Sequence, residues 1–153
     1  MAYGVLIGPP ILVVPSREYG ALLMLLFTRE QRWRAKNMHE LSIAQSIFDV
    51  VETRATELHA THVKGVRLRI GEASGIVTDS LTFCFEMLAS FDPIVAGAQL
   101  SVDTVPHRAR CRHCAKEFPV TNFIAQCPTC AEWSNEIISG NELQILDMEI
   151  ETS

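Results

Sequence analysis

Hydrophobic residues recur with regular periods through most of the chain after residue 40. Between residues 41 and 59 they return every three or four positions, which predicts an amphipathic helix. The same spacing predicts a second helix that begins at Thr78 or Asp79 as its cap and ends near Ser90. Apolar and polar side chains alternate in three further segments, each of which predicts a strand: 63–70, 99–105 and 143–150.

Two Cys-x-x-Cys pairs interrupt this pattern between the second and third strands. The pairs are separated by twelve residues, and their members are Cys111, Cys114, Cys127 and Cys130. This spacing predicts a tetrahedral zinc site with four thiolate ligands. Because a closed shell of thiolates leaves no position for water or substrate, we expect the zinc to be structural.

Two alternatives to this ligand set remain open at the level of sequence. Two disulfides or two redox dithiols would use the same four cysteines, but the chain has an odd fifth thiol, Cys84, and no convincing secretion signal. His107 and His113 lie beside the first pair, and either could replace a thiolate as ligand or sense metal loading from nearby.

Together the elements predict an α+β fold, a small three-stranded sheet with two helices that is interrupted by a four-cysteine zinc-ribbon-like module. We expect residues 38–106 plus 135–153 to form the α/β domain and residues 107–134 to form the zinc module. Residues 1–37 contain three prolines and an apolar run of only seven residues, against the roughly 20 that a membrane span needs. We expect a poorly structured extension upstream of a true start at Met38, with a weak targeting or membrane-associating role as the alternative.

The charge distribution restricts the class of partner. The net charge is −5, and residues 1–37 contribute +3 to it, so the remainder of the chain carries −8. An acidic body argues against nucleic acid, since phosphate binding requires a basic face. The use of cysteine without a secretion signal predicts a cytoplasmic protein.

Several short motifs, taken in order, carry a family resemblance. They are Met38-His39-Glu40-Leu41-Ser42, Arg69-Ile70-Gly71-Glu72, Leu81-x-Phe83-x-Phe85-Glu86, Gly97-Ala98-x-Leu100, the two cysteine pairs, and Gly140-x-Glu142-Leu143. From Met38 to about Glu151 the chain resembles the HypA/HybF family, the nickel-delivering accessory proteins of nickel–iron hydrogenase maturation.

The resemblance implies a function and a set of ligands. Such proteins are not enzymes; they bind Ni(II) at their amino terminus and pass it to the hydrogenase large subunit with the help of a HypB-type GTPase. Carried over, the nickel ligands are the amino group of Met38, the backbone amides of His39 and Glu40, and the imidazole of His39. Ni(II) favours square-planar nitrogen donors, which suits this set. The resemblance leaves open which hydrogenase is served and whether the protein is a monomer or a homodimer.

Two departures from the family pattern affect the details. Met38 is internal in this numbering, so its nitrogen is a free amine only in a chain that starts there. Ala115 and Ala131 stand where such knuckles often carry glycine, at a cost of about 1 kcal/mol each if the backbone keeps a positive φ.

A different function class competes with nickel delivery. The chain could be a zinc-ribbon interaction module that handles no nickel, in which case Met-His-Glu is accidental. A zinc hydrolase or deaminase would need an open coordination position and a nearby general base, and no His-x-Glu…Cys-x-x-Cys pattern occurs.

Overall fold

A computed structural model describes the backbone of residues 2–12 and 29–153 and the side chains of residues 39–153. Within these ranges the helices and strands follow one another as β1 (Ala2–Leu12), α1 (Arg29–Glu57), β2 (Ala60–Gly71), α2 (Thr78–Ala89), β3 (Gln99–Val105), β4 (Arg108–Arg110), β5 (Glu117–Pro119), β6 (Glu136–Ser139) and β7 (Leu143–Thr152).

The main sheet has the strand order β1-β7-β2-β3. Strands β2 and β3 run parallel and are connected through α2, whereas β7 is antiparallel to β2. A second, three-stranded sheet with the order β5-β4-β6 is inserted between β3 and β7. The three predicted strands are therefore β2, β3 and β7, and the predicted α+β class with an inserted cysteine module is confirmed.

Helices α1 and α2 pack against each other and cover one face of the main sheet. Apolar residues of β2 such as Val66 and Leu68 are buried there, while Arg67 and Arg69 between and beyond them are exposed on the opposite face. On that face Arg67 forms an ion pair with Asp147 of β7. The alternation of the sequence therefore separates an apolar core from a charged outer surface.

The expectation that residues 1–37 are poorly structured is wrong where the structure describes them. Residues 2–12 form β1, which pairs antiparallel with β7, and residues 29–37 belong to α1. The pairing register is broken between Leu6 and Ile11, a stretch that includes Pro9 and Pro10. Proline lacks the N–H of a ladder but is tolerated on an edge strand, which is the position of β1. Residues 13–28, with the seven-residue apolar run, lie outside the described residues.

The predicted start of the first helix is also wrong. The periodicity of the sequence predicts a start near Leu41, but α1 begins at Arg29. The intervening residues include arginine, glutamate, glutamine, alanine and lysine, which are good helix formers, and contain no proline or glycine to stop the helix. As a result Met38 lies inside α1, with nine helical residues before it.

The second helix matches its prediction in extent but not in its cap. The expected cap was Thr78 or Asp79, yet the N-cap position belongs to Val77, whose side chain has no hydrogen-bonding group. Among the described residues no helix is long and apolar enough to cross a membrane.

Candidate metal centre

The two cysteine pairs form two equivalent turns at one end of the inserted module. In the first, the N–H of Ala115 donates to the carbonyl of Cys111 at 2.8 Å; in the second, the N–H of Ala131 donates to that of Cys127 at 2.9 Å. The φ angles of Ala115 and Ala131 are 59° and 58°. Both alanines therefore keep the left-handed conformation that glycine favours, as the sequence predicted for an unchanged turn geometry.

The four sulfur atoms converge on one point. All lie within 4.8 Å of one another, and all four cysteines are free of disulfides. The Sγ atoms are 3.5 Å apart for Cys111 and Cys130, 3.6 Å for Cys114 and Cys127, and 3.8 Å for Cys114 and Cys130. Four ligands placed tetrahedrally at the Zn–S distance of about 2.3 Å would be about 3.8 Å apart. The spacing therefore fits a zinc ion and is too long for a disulfide.

The pKa values of these thiols also favour a bound cation. Backbone N–H groups of Cys130 and Thr129 hydrogen-bond to Cys127 and lower its pKa to about 6, despite its burial. At Cys130 a backbone hydrogen bond from Glu132 acts in the same direction, but desolvation and the neighbouring thiols, led by Cys111, raise the pKa to about 12. Four thiolates this close repel one another, so a divalent metal is needed to hold all of them deprotonated.

Neither histidine near the first pair belongs to this sulfur cluster. Among the described residues, the group of potential metal ligands at this point consists of the four cysteines alone. His113 is exposed, and the buried His107 directs its ring towards Phe123, with ring centroids 5.8 Å apart.

The cysteine module is joined to the α/β part through close backbone contacts at two glycines. The N–H of Ala73 donates to the carbonyl of Gly140, and that of Gly71 to the carbonyl of Glu142. A Cβ on Gly71 would lie 2.0 Å from the carbonyl carbon of Gly140, and one on Gly140 would lie 2.5 Å from the Cα of His107. These positions exclude any side chain, which explains the glycines in the Gly71-Glu72 and Gly140-x-Glu142 motifs.

The Met-His-Glu motif is located elsewhere, in α1. The side chain of His39 is exposed, whereas that of Glu40 is only 1% exposed. In an α-helix each N–H donates to the carbonyl four residues earlier, so the amides of residues 38–40 are occupied by residues 34–36. The structure thus places the three expected nickel ligands in sequence along one turn and commits their backbone nitrogens to the helix.

Sequence reasoning missed the role of the Glu40 carboxylate. Its Oε1 accepts a hydrogen bond from the N–H of Val77 at 3.3 Å, which caps α2 from a neighbouring helix. Its Oε2 is fully buried and has no hydrogen-bond partner among the described residues. The signal that could have revealed this is the apolar residue at the start of α2, because a helix whose own N-cap cannot accept needs an acceptor from outside.

The part of the chain that contains both sites matches known proteins. Residues 38–150 match the family model described as "Hydrogenase/urease nickel incorporation, metallochaperone, hypA". The hydrogenase maturation factor HypA of Geobacter metallireducens is 40% identical over 114 residues, which is 74% of this chain and 100% of that protein. The HypA protein of Streptomyces avermitilis is 43% identical over 113 residues, 72% of this chain and 86% of its own length.

Solved structures resemble the fold as well. The solution structure of the Ni metallochaperone HypA from Helicobacter pylori superposes with a TM-score of 0.54 at 23% sequence identity, over 74% of this chain and 98% of that one. A second HypA solution structure gives a TM-score of 0.57 at 24% identity, over 76% and 98% of the two chains. At these identities the likeness establishes a shared fold.

Proposed function

This chain belongs to the HypA family, and we propose that it binds Ni(II) and delivers it to the large subunit of a nickel–iron hydrogenase during maturation of that enzyme. Members of this family are described as metallochaperones and maturation factors, not as enzymes. The observation that carries the proposal is the Met38-His39-Glu40 motif, with which the family match begins.

Nickel would be held by four nitrogen donors from three consecutive residues. In a chain that starts at Met38, the amine would anchor the ion, the amide nitrogens of His39 and Glu40 would bind it after losing their protons to solvent, and the His39 imidazole would complete a square plane. The α1 helix of the full chain opposes this arrangement, since its hydrogen bonds already use those amides. A start at Met38 removes the upstream carbonyls and frees the amides, because the first four N–H groups of a helix have no partner within it.

The surroundings of the motif support a transfer role. Exposure of His39 makes a bound ion accessible to an acceptor protein. The next residue, Glu40, is buried, and its hydrogen bond from Val77 fixes this part of α1 against the start of α2. His39 is therefore available to exchange a nickel ion with another protein, while Glu40 fixes the position of the motif.

The cysteine cluster would carry structural Zn(II) rather than cargo. Four converging thiolates at tetrahedral spacing suit zinc and provide a closed shell. Cys111 and Cys127 are themselves part of the small core of this module, together with Ala109, Phe118 and Val120. Zinc binding and folding of the module would then be one process.

The proposal includes partners and a compartment. By family membership, a HypB-type GTPase and the hydrogenase large subunit would be the proteins that exchange nickel with this chain in the cytoplasm. The second candidate function is that of a zinc-ribbon interaction module without a role in metal delivery. It is favoured by the exposed aromatic ring of Trp133 on the module, which is 68% exposed.

Nickel binding separates the two functions. A protein that starts at Met38 should bind one Ni(II) per chain, and His39→Ala should weaken binding at least about a hundredfold because the imidazole, one of the four ligands, is lost. His113→Ala, which removes an exposed histidine of the zinc module, is the matched control and should leave nickel affinity unchanged. Calorimetric titration measures both. Equal affinity of the His39→Ala protein and its parent would favour the interaction module.

A further inference from the structure

A cleft of about 370 Å³ lies where the zinc module meets the α/β part. Six of its lining residues carry the argument that follows: Glu72, Pro106, His107, Pro119, Asn122 and Phe123. Five of these come from the module or from the segment leading into it, while Glu72 comes from the turn after β2. The cleft is distinct from both the sulfur cluster and the Met-His-Glu motif.

One wall of the cleft is held in a strained backbone conformation. Asn122 and Phe123 have φ angles of 52° and 62°, and the N–H of Ile124 closes the turn on the carbonyl of Thr121 at 2.9 Å. Asparagine tolerates this region of the Ramachandran map, but a bulky residue such as phenylalanine rarely occupies it. Phe123 is 73% exposed in this conformation, so its ring contributes little to the protein's own core. Strain maintained for an exposed aromatic ring points to a role in binding.

The floor of the cleft is a buried histidine with unused hydrogen-bonding capacity. His107 is 9% exposed, and its ring packs edge-on against Phe123 at an interplanar angle of 60°. Its backbone N–H donates to Oε2 of Glu72 at 3.0 Å. Within residues 39–153 the imidazole nitrogens form no hydrogen bond. Neither ring nitrogen is among the fully buried atoms that lack a partner in residues 39–153, so both are reached by solvent and are available to a ligand that enters the cleft.

The Glu72 carboxylate supplies negative charge at the same place. It is exposed, and none of the ion pairs formed among residues 39–153 includes it. The hydrogen bond from His107 occupies one of its oxygens and orients the group, while the second oxygen stays free for a cation.

We propose that this cleft binds the guanidinium group of an arginine side chain of a partner protein. A planar guanidinium stacks on the face of an aromatic ring and pairs with a carboxylate in a fixed geometry, and it brings several N–H donors. Phe123 provides the ring, Glu72 the carboxylate, and His107 a nitrogen that accepts one further hydrogen bond. The occupant is a protein side chain because the prolines and the exposed ring around the charge offer apolar area that suits the stem of an arginine.

The test uses N-acetyl-arginine amide as the probe and N-acetyl-citrulline amide as its neutral isostere, titrated into the full chain with zinc present and no nickel. Proton–nitrogen correlation spectra follow the amides of His107, Asn122 and Phe123. We expect saturable shifts confined to the cleft with the arginine probe at concentrations up to about 50 mM, and at least about fivefold weaker binding of the citrulline probe.

Two variants remove the proposed contacts without removing the fold. Glu72→Gln keeps an oxygen for the N–H of His107 but removes the charge, and Phe123→Gly removes the ring at a position where glycine relieves the strain. Each substitution should lower the affinity for the arginine probe at least about threefold, whereas Ile124→Ala, at an exposed residue outside the cleft, should leave it unchanged. Equal binding of the two probes, shifts outside the cleft, or unchanged affinity in both variants would overturn the proposal. Because nickel is absent from the test, these results leave the proposed nickel function unaffected.

Discussion

At the scale of single residues, Ala115 and Ala131 show how a metal site can tolerate imperfect turns. Each adopts a positive φ that disfavours every residue with a Cβ, and each follows the second cysteine of a pair. The hydrogen bonds from these residues to Cys111 and Cys127 are retained. The backbone therefore keeps the geometry that positions the sulfurs, although the Cβ atoms of the two alanines make this conformation strained.

Glycine at either position should relieve that strain. Ala115→Gly and Ala131→Gly should each raise the free energy of unfolding of the zinc-bound module by about 1 kcal/mol, because glycine adopts this conformation without a steric penalty. The measurement is urea denaturation followed by the fluorescence of Trp133. Ala125→Gly, at an alanine that does not have a positive φ, should instead lower stability. Destabilisation by all three substitutions would show that the turns are not strained.

A second residue-scale prediction concerns the cysteines. Cys127→Ala should abolish zinc binding and unfold residues 107–134 locally, since binding and folding of the module are coupled, while the main core of the α/β part remains. Zinc content and amide hydrogen exchange report the two effects. The matched control is Cys84→Ala, which removes a thiol of α2 outside the cluster and should keep stoichiometric zinc. A Cys127→Ala protein with one tightly bound zinc and a protected module would require another ligand, and His113 would be examined first.

At the scale of elements, the two helices depend on each other through Glu40. The start of α2 has no capping side chain of its own and uses a carboxylate that α1 supplies. The same carboxylate carries an oxygen without a hydrogen-bond partner in a buried position, which costs free energy. The hydrogen bond thus links the Met38-His39-Glu40 segment of α1 to the start of α2.

Substitution of Glu40 tests this link between helices. Glu40→Ala should lower the free energy of unfolding by at least about 1 kcal/mol, the typical value of a lost cap, whereas Glu40→Gln should stay within about 1 kcal/mol of the parent because its amide oxygen still accepts from Val77. Glu52→Ala, at an exposed glutamate of the same helix, is the control. Urea unfolding monitored by circular dichroism gives all three values. If Glu40→Ala and Glu52→Ala behaved alike, the carboxylate would not be the cap.

The elements also show what can be read from the sequence and what cannot. The α2 helix, the strands β2, β3 and β7 and the cysteine turns follow local periods and spacings, and the sequence predicts them. Strand β1 escapes prediction because its partner β7 is more than a hundred residues away and its prolines resemble a loop. The carboxylate of Glu40 and the ring of Phe123 escape it for a related reason, since their surroundings are assembled from distant segments.

At the scale of the whole molecule, we expect one chain to bind two metals whose ligands differ in how strongly protons compete for them. The proposed nickel ligands are an amine, two amides and an imidazole, and each must be free of a competing proton to bind. The proposed zinc ligands are four thiolates, and the cysteines that supply them form a partly buried cluster. In the first set the side chain of His39 is exposed, whereas Cys111 and Cys127 of the second set form part of a core.

Mild acid should therefore release nickel before zinc. Several protons compete with one nickel ion, and imidazole groups in general take up a proton near pH 6.5, so nickel should leave between about pH 7.5 and 6 while zinc stays bound. The measurement is a pH titration of the protein that starts at Met38, with both metals quantified after desalting. Retention of nickel at about pH 6 would mean a different ligand set, most simply one that includes thiolates.

The most direct test of the account compares nickel binding by two chains that differ only in where they begin. The protein that starts at Met38 should bind Ni(II) in a diamagnetic, square-planar form, because the free amine and the unpaired amides are available. The 153-residue chain carries these nitrogens inside α1 and should bind more weakly or in a six-coordinate, paramagnetic form. Affinities come from competition with a chelator, and geometries from electronic absorption spectra. Equal affinities and identical spectra for the two chains would contradict nickel binding through the amino-terminal motif.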